Sequence, residues 1–289
     1  MSIAERAMIV NLSIKAWTGR KTDKNATADV HRRAGAAADA GAYKKRLISP
    51  TRLHAIGTVV SQARAYHYEQ TLPWHDGGGR ILPSALFFGY SETMRAFEQS
   101  FTEAVAAFLA DYAAAVTDSR TRLNGLFDPA DYPALDDLRK RFSWDVGIEP
   151  MPTAADFRIN LGADVEERIK ADIEQRATDA AAKGTRQLWQ RLYNAVETLA
   201  EKLAGDETSF KRYARESMVE HIRRLTAILP AMNLTDDPEL EKARQTVEGK
   251  IACLNLAELR DNEPERSKAA ADAKGILDAM AGFMGAPEQ

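Results

Sequence analysis

Between Ser84 and Leu126 the apolar side chains recur with the period of an α-helix. Phe87, Tyr90, Met94, Phe97, Phe101, Val105, Phe108, Tyr112, Val116 and Leu123 fall on one stripe, and the small Ser119 fills its remaining slot. The spacing averages about 3.6 residues, the repeat of a straight helix with a single buried face. Pro83–Ser84 signals its start and Asn124–Gly125 a left-handed stop. A stripe so rich in Phe and Tyr needs apolar partners on both flanks.

A period of two marks three shorter segments. In 8–15, Val10, Leu12 and Ile14 alternate with Asn11, Ser13 and Lys15. In 142–149, Phe142, Trp144, Val146 and Ile148 alternate with polar residues or glycine. In 156–161, Phe157, Ile159 and Leu161 alternate with Arg158 and Asn160. The pattern predicts one three-stranded antiparallel sheet, with Val10, Leu12, Phe142, Trp144, Val146 and Phe157 on its buried face.

Helix signals fill most of the rest. A short helix is predicted over 27–34 and another over 133–141. Ser49–Pro50 opens one that runs to about Tyr68. Asp164-x-x-Glu167 reads as a capping box for a second long helix ending at Gly205, with Gly184 as a bend or close crossing. Further helices are predicted from 208 to Pro230, from Asp236-Asp237-Pro238 to Cys253, and onward from Pro264. Residues 69–83, with two prolines and three consecutive glycines, read as a loop.

These elements predict an α+β, mainly α protein. Its long antiparallel helices form an elongated bundle with the small sheet at one end. The expectation is one elongated domain over 1–289. It has a basic N-terminal region (1–82), long helices with a β-hairpin insertion at 142–161 (83–230), and C-terminal helices (231–289).

Charge changes this picture more than composition does. The formal net charge is −3, yet residues 1–64 hold 12 Lys/Arg against 4 Asp/Glu. The remainder carries 27 against 38. That asymmetry predicts either a basic surface for an anionic partner or a basic end matched to acidic groups of the same or another subunit. The lone Cys253 excludes an internal disulfide and fits a cytoplasmic setting. No stretch has the ~18 uninterrupted apolar residues of a membrane helix, and the N-terminal segment lacks the apolar core of a signal peptide.

Enzyme signatures are missing from the sequence. The triple glycine at 77–79 lacks the Gly-Lys-Ser/Thr ending of a phosphate loop. His67 and His75–Asp76 lack metal-ligand spacing, and no Gly-x-Ser-x-Gly occurs. The expectation is a non-enzymatic protein without cofactor or metal. What remains is a basic–aromatic constellation of Arg20, Lys21, Lys24, Arg32, Arg33, Lys44, Lys45, Arg46, Trp74 and Arg80. Cations follow phosphates and aromatic faces stack bases in single-strand binders, although Trp17 and Tyr66 nearby read equally well as core.

The segments VNLSIKAWTGRK (10–21), RAYHYEQTLPW (64–74), GGRILP (78–83), RLNGLF (122–127) and NLTDDPEL (233–240) carry a resemblance that extends over nearly the whole chain. The sequence resembles a family of largely helical proteins of unknown function from tailed phages and mobile plasmids. The resemblance transfers no catalytic residues. It implies a phage or plasmid setting in a bacterial cytoplasm, and sometimes a gene neighbourhood with AAA-type ATPases. The expected function is a self-associating binding or scaffold protein whose basic N-terminal region docks single- or double-stranded DNA. The alternative is an interaction partner or adaptor of another phage or plasmid protein, such as an AAA-type ATPase, without nucleic-acid binding; a homo-oligomer is expected in either case. No membrane partner is expected.

Overall fold

The computed structural model describes residues 3–74, 78–156 and 162–283. The chain opens with a helical turn α1 (Ile3–Arg6), strand β1 (Ala7–Lys15), strand β2 (Arg20–Thr22), helix α2 (Lys24–Ala34) and strand β3 (Lys44–Arg46). Helix α3 (His54–Gln70), strands β4 (Leu72–Pro73) and β5 (Arg80–Pro83), and the long helix α4 (Phe87–Leu123) follow. Next come α5 (Leu135–Arg139), β6 (Ser143–Pro150) and the second long helix, α6 (Ala163–Leu203). The remainder is helical: α7 (Glu207–Tyr213), α8 (Glu216–Met232), α9 (Pro238–Lys250), α10 (Leu256–Leu259) and α11 (Glu263–Ala281). The protein is therefore α+β and mainly α.

Two compact units share the chain. One is Met1–Val10, Gln70–Phe87 and Ile148–Gln289; the other is Asn11–Glu69 and Phe88–Gly147. Each has its own core. The first is aliphatic: Leu188, Leu192, Val196 and Leu199 of α6 are fully buried among residues of α8, α9 and α11. The second is aromatic and built on α4. Tyr90, Met94, Phe101, Val105, Phe108, Tyr112 and Ser119 are buried as the stripe predicts, Phe97 and Val116 are half-buried against the same core, and Ala115 joins the buried face. Trp17 lies 6.1 Å from both Phe108 and Tyr112, and Phe101 lies 5.6 Å from Trp144, in tilted and edge geometries that suit the ring quadrupoles. Asn124, at φ 45°, supplies the left-handed stop.

The sheet differs from the expectation. Four strands, not three, lie in the order β4-β5-β1-β6, and β2 and β3 form a separate two-stranded sheet. β4 and β5 come from the segment read as a loop, because strands of two and four residues are too short to show a period. The expected third strand falls on residues 157–161, which lie outside the described residues, as do His75 and Asp76.

Helix boundaries also need correction. Gly162, not Asp164, is the N-cap of α6, and no side chain caps it. Asp164 and Glu166 instead sit in the first turn, where their charge opposes the helix dipole. The predicted 208–230 helix breaks at Ala214–Arg215, and Pro230 lies within the last turn of α8 rather than ending it. Gly184 marks a close approach to a strand: a Cβ there would stand 3.0 Å from Leu72 Cδ1 of β4.

Candidate nucleic-acid interface

The basic N-terminal run folds into a ribbon. β2 and β3 pair antiparallel with Arg20 opposite Arg46, Lys21 opposite Lys45 and Thr22 opposite Lys44. Side chains alternate across a strand, so Lys21 and Lys45 share one face, and Arg20, Thr22, Lys44 and Arg46 the other. Like charges directly opposite repel, and the two faces resolve that repulsion differently.

On the inner face the charge is neutralised. The Lys45 side chain is 5% exposed; its Nζ stands 2.7 Å from Asp23 Oδ2 and 2.6 Å from Asp131 Oδ2. The same nitrogen donates to the Leu126 carbonyl at 2.9 Å, and Lys21 pairs with Asp131 as well. Burial alone would push the Lys45 ammonium down, but Asp131 and Asp23 outweigh it and hold it above its ordinary value. Burial likewise pushes Asp131 up, and Lys21 and Lys45 bring it below the usual carboxylate range. Asp23 is held low first by the Ala26 amide, which it caps at the start of α2, and then by Lys45. Tyr132 donates to the Leu47 carbonyl at 2.9 Å, and Arg122 to the carbonyls of Arg46 and Leu47. The last turn of α4 and the segment after it thus hold the ribbon.

On the outer face Arg20, Lys44 and Arg46 are exposed, and none pairs with a carboxylate among the described residues. Thr22 of this face also lines a groove with Lys24, Thr27, His31 and Arg32 of α2. The start of α2 is tied to the segment before β3 by Asp23 N donating to the Tyr43 carbonyl and Tyr43 N donating to Thr27 Oγ1. Arg32 pairs with Asp29 at 3.0 Å, whereas Lys24 and Arg33 are exposed and have no ion pair among the described residues.

Eight of the ten residues singled out in the sequence therefore lie in one unit, and Lys45 among them is a buried structural cation. Trp74 and Arg80 belong to the other unit. Arg80 donates to Thr71 Oγ1 at 2.6 Å and to the Thr71 carbonyl at 3.0 Å. Arg52, at the edge of the constellation, pairs with Asp111 and Asp118 of α4. Asp23 and Asp131 are not among the residues that the sequence marks. The sequence signal for Asp23 is its N-cap position before α2; Asp131 stands in a Pro-broken turn with no period to mark it.

Among the described residues no group of three or more His, Cys, Asp or Glu is placed to hold a metal. His67 is buried, with Nδ1 2.8 Å from the Tyr90 hydroxyl. No helix among the described residues is long and apolar enough to cross a membrane.

A mainly helical α+β chain with a basic ribbon is the class these features define. Residues 4–248 match a family described as Protein of unknown function (DUF3150), and the chain belongs to that family. Neither the curated proteins nor the solved structures contain a match.

Proposed function

We propose that this is a non-enzymatic binding protein that docks the phosphate backbone of nucleic acid on the outer face of the β2–β3 ribbon and the adjoining α2 groove. One observation carries the reading: Arg20 faces Arg46 across the ribbon with Lys44 beside them, exposed and unmatched by carboxylates among the described residues, while the inner cations are neutralised. A bound phosphate relieves the repulsion between the facing arginines, and guanidinium forks bind phosphate oxygens well. The phage or plasmid setting in a bacterial cytoplasm, implied by the sequence resemblance, accords with such a role and is part of the proposal.

Fluorescence anisotropy with labelled single- and double-stranded oligonucleotides, from low to physiological salt, tests it. The log–log salt slope is expected to be about −0.7 per phosphate contact on a single strand. Replacing Arg20, Lys44 and Arg46 together by Ala should flatten that slope by roughly two and weaken all sequences alike. Absence of binding at low salt, or an unaltered slope in the triple variant, overturns the reading. The outer face then passes to an acidic protein partner, such as the AAA-type ATPase of the alternative.

A further inference from the structure

An aromatic residue stands where the ribbon meets the α2 groove. Tyr43 lies one register step beyond the Thr22–Lys44 pair, and Asp23 across from it donates its backbone N to the Tyr43 carbonyl at 2.9 Å. Along the chain, Ala42 before it lines the groove and Lys44 after it belongs to the outer face of the ribbon. A ligand that occupies both the ribbon and the groove therefore passes Tyr43.

The backbone at this junction is fixed, and the side chain is uncommitted. The Tyr43 carbonyl accepts from Asp23 N, and its N–H donates to Thr27 Oγ1 at 3.0 Å. Both partners are themselves tied to the first turn of α2: Asp23 Oδ1 accepts from Ala26 N at 2.9 Å, and Thr27 Oγ1 donates to the Asp23 carbonyl at 2.6 Å. A side chain presented from a fixed backbone needs less ordering when it binds. Tyr43 is 41% exposed. Among the described residues its ring has no aromatic or cationic partner and its hydroxyl no hydrogen bond. The preceding segment, GAAADAGA from Gly35 to Ala42, holds no side chain larger than Asp39, so nothing in it covers the ring. Exposed tyrosines are ordinary on protein surfaces; the charge setting distinguishes this one. Lys44 follows it, and Lys24 follows Asp23 on the facing segment; both are exposed and have no ion pair among the described residues.

Given the phosphate docking proposed above, on which this rests, we infer that the ligand is a single strand, one of whose bases stacks on Tyr43 while the phosphates beside it meet Lys44 and Lys24. A cationic track with an aromatic face set into it is how single strands are held without regard to sequence. A duplex uses the cations and leaves the ring idle, because its base faces are already stacked on one another; an unpaired base has a free face to offer.

Fluorescence anisotropy on the full chain tests this with a short deoxythymidine strand, an abasic strand of the same length, and the duplex of the first with its complement. The deoxythymidine strand should bind more tightly than its duplex, and more tightly than the abasic strand by roughly 5- to 150-fold, the worth of one stacked base. Tyr43→Ala should remove that advantage and leave the abasic strand and the duplex bound as before, which also shows that the variant is folded. Its salt slope should be unchanged, because stacking releases no counterions. Tyr43→Phe, which keeps a ring, should retain most of the binding. If Tyr43→Ala binds the deoxythymidine strand as the unmodified chain does, the inference is overturned. The phosphate docking still stands in that case, provided the Arg20, Lys44 and Arg46 triple flattens the slope. Tighter binding of the duplex than of the strand overturns it too, and places the ribbon in a major groove instead. Absence of binding by all three ligands at low salt overturns both proposals together.

Discussion

The two faces of the β2–β3 ribbon carry the same kind of residue and lead opposite lives. Lys21 and Lys45 point inward onto Asp131, and Lys45 is sealed between Asp23 and Asp131. Arg20, Lys44 and Arg46 point outward and meet no carboxylate among the described residues. The face is decided by strand parity alone. Of three consecutive cations, Lys44, Lys45 and Arg46, the middle one is buried between two carboxylates and its neighbours stay exposed. A charge run is therefore a mixture of buried, paired cations and exposed ones, and the charge balance of a segment overstates the charge that reaches the surface. The unit holding the ribbon shows the scale of this internal matching: it carries 17 Lys/Arg and 14 Asp/Glu, against 22 and 28 in the other.

The sharpest way to break this contrast is to remove one cation from each face. Lys45→Ala leaves Asp23 and Asp131 buried without their shared partner, and breaking a buried ion pair costs about 3–5 kcal/mol. The low end of that range is expected, because Lys21 still faces Asp131. Arg46→Ala should change stability by no more than about 0.5 kcal/mol, as surface substitutions do. Urea unfolding of the two variants gives the comparison directly. Equal destabilisation would mean that the faces do not differ in the way described.

Acid separates the faces a second time. The folded chain holds the Asp131 carboxyl below its ordinary value, with burial opposing and the two lysines prevailing. The unfolded chain therefore takes up this proton at the higher pH. The stabilisation is complete above the unfolded pKa of about 3.9 and is lost as pH falls through the folded value. Lys45 has the opposite sign: raised in the fold, it contributes fully below about 10.4 and is lost as pH rises through its folded value. Between those limits the network is insensitive to pH. Asp131→Asn should lower the urea midpoint at pH 7, and the gap to the unmodified protein should close as pH falls below 4. A gap that stays constant down to pH 2 would show that the Asp131 charge contributes nothing.

The difference between the faces also explains what the sequence could and could not disclose. The α4 stripe is legible because about ten turns of apolar residues recurring at the helical period leave one interpretation, and Phe101, Phe108 and Tyr112 are buried where the period puts them. β1 is legible through the alternation around Val10. The ribbon is not, because three residues per strand are too few for a period, and its pairing joins segments separated by α2 and a loop. Asp131 is more than eighty residues from Lys45 in sequence, and only the return of the chain after α4 brings them together. The same limit hides the seat of β4: a two-residue strand packed on Gly184 of a distant helix leaves no local signature. Trp74 and Arg80 share only their residue types with the basic N-terminal constellation, and type does not report which unit holds a side chain.

The smallest expected effect concerns how far the outer face extends. Arg32 lines the α2 groove that Thr22 joins to the ribbon, and its partner Asp29 is itself exposed. An exposed pair three residues apart on a helix contributes about 0.2–0.5 kcal/mol, so Arg32→Ala should leave the urea midpoint almost unmoved. Binding should respond more than stability does. If the backbone of a strand runs from the ribbon into the groove, losing this cation removes one phosphate contact and flattens the salt slope by about 0.7. Pairing Arg32→Ala with Arg33→Ala, on the same exposed last turn, should flatten it by up to about twice that amount if Arg33 also reaches the backbone. If both variants keep the unmodified slope while the Arg20, Lys44 and Arg46 triple loses it, the interface ends at the ribbon and the groove serves another purpose.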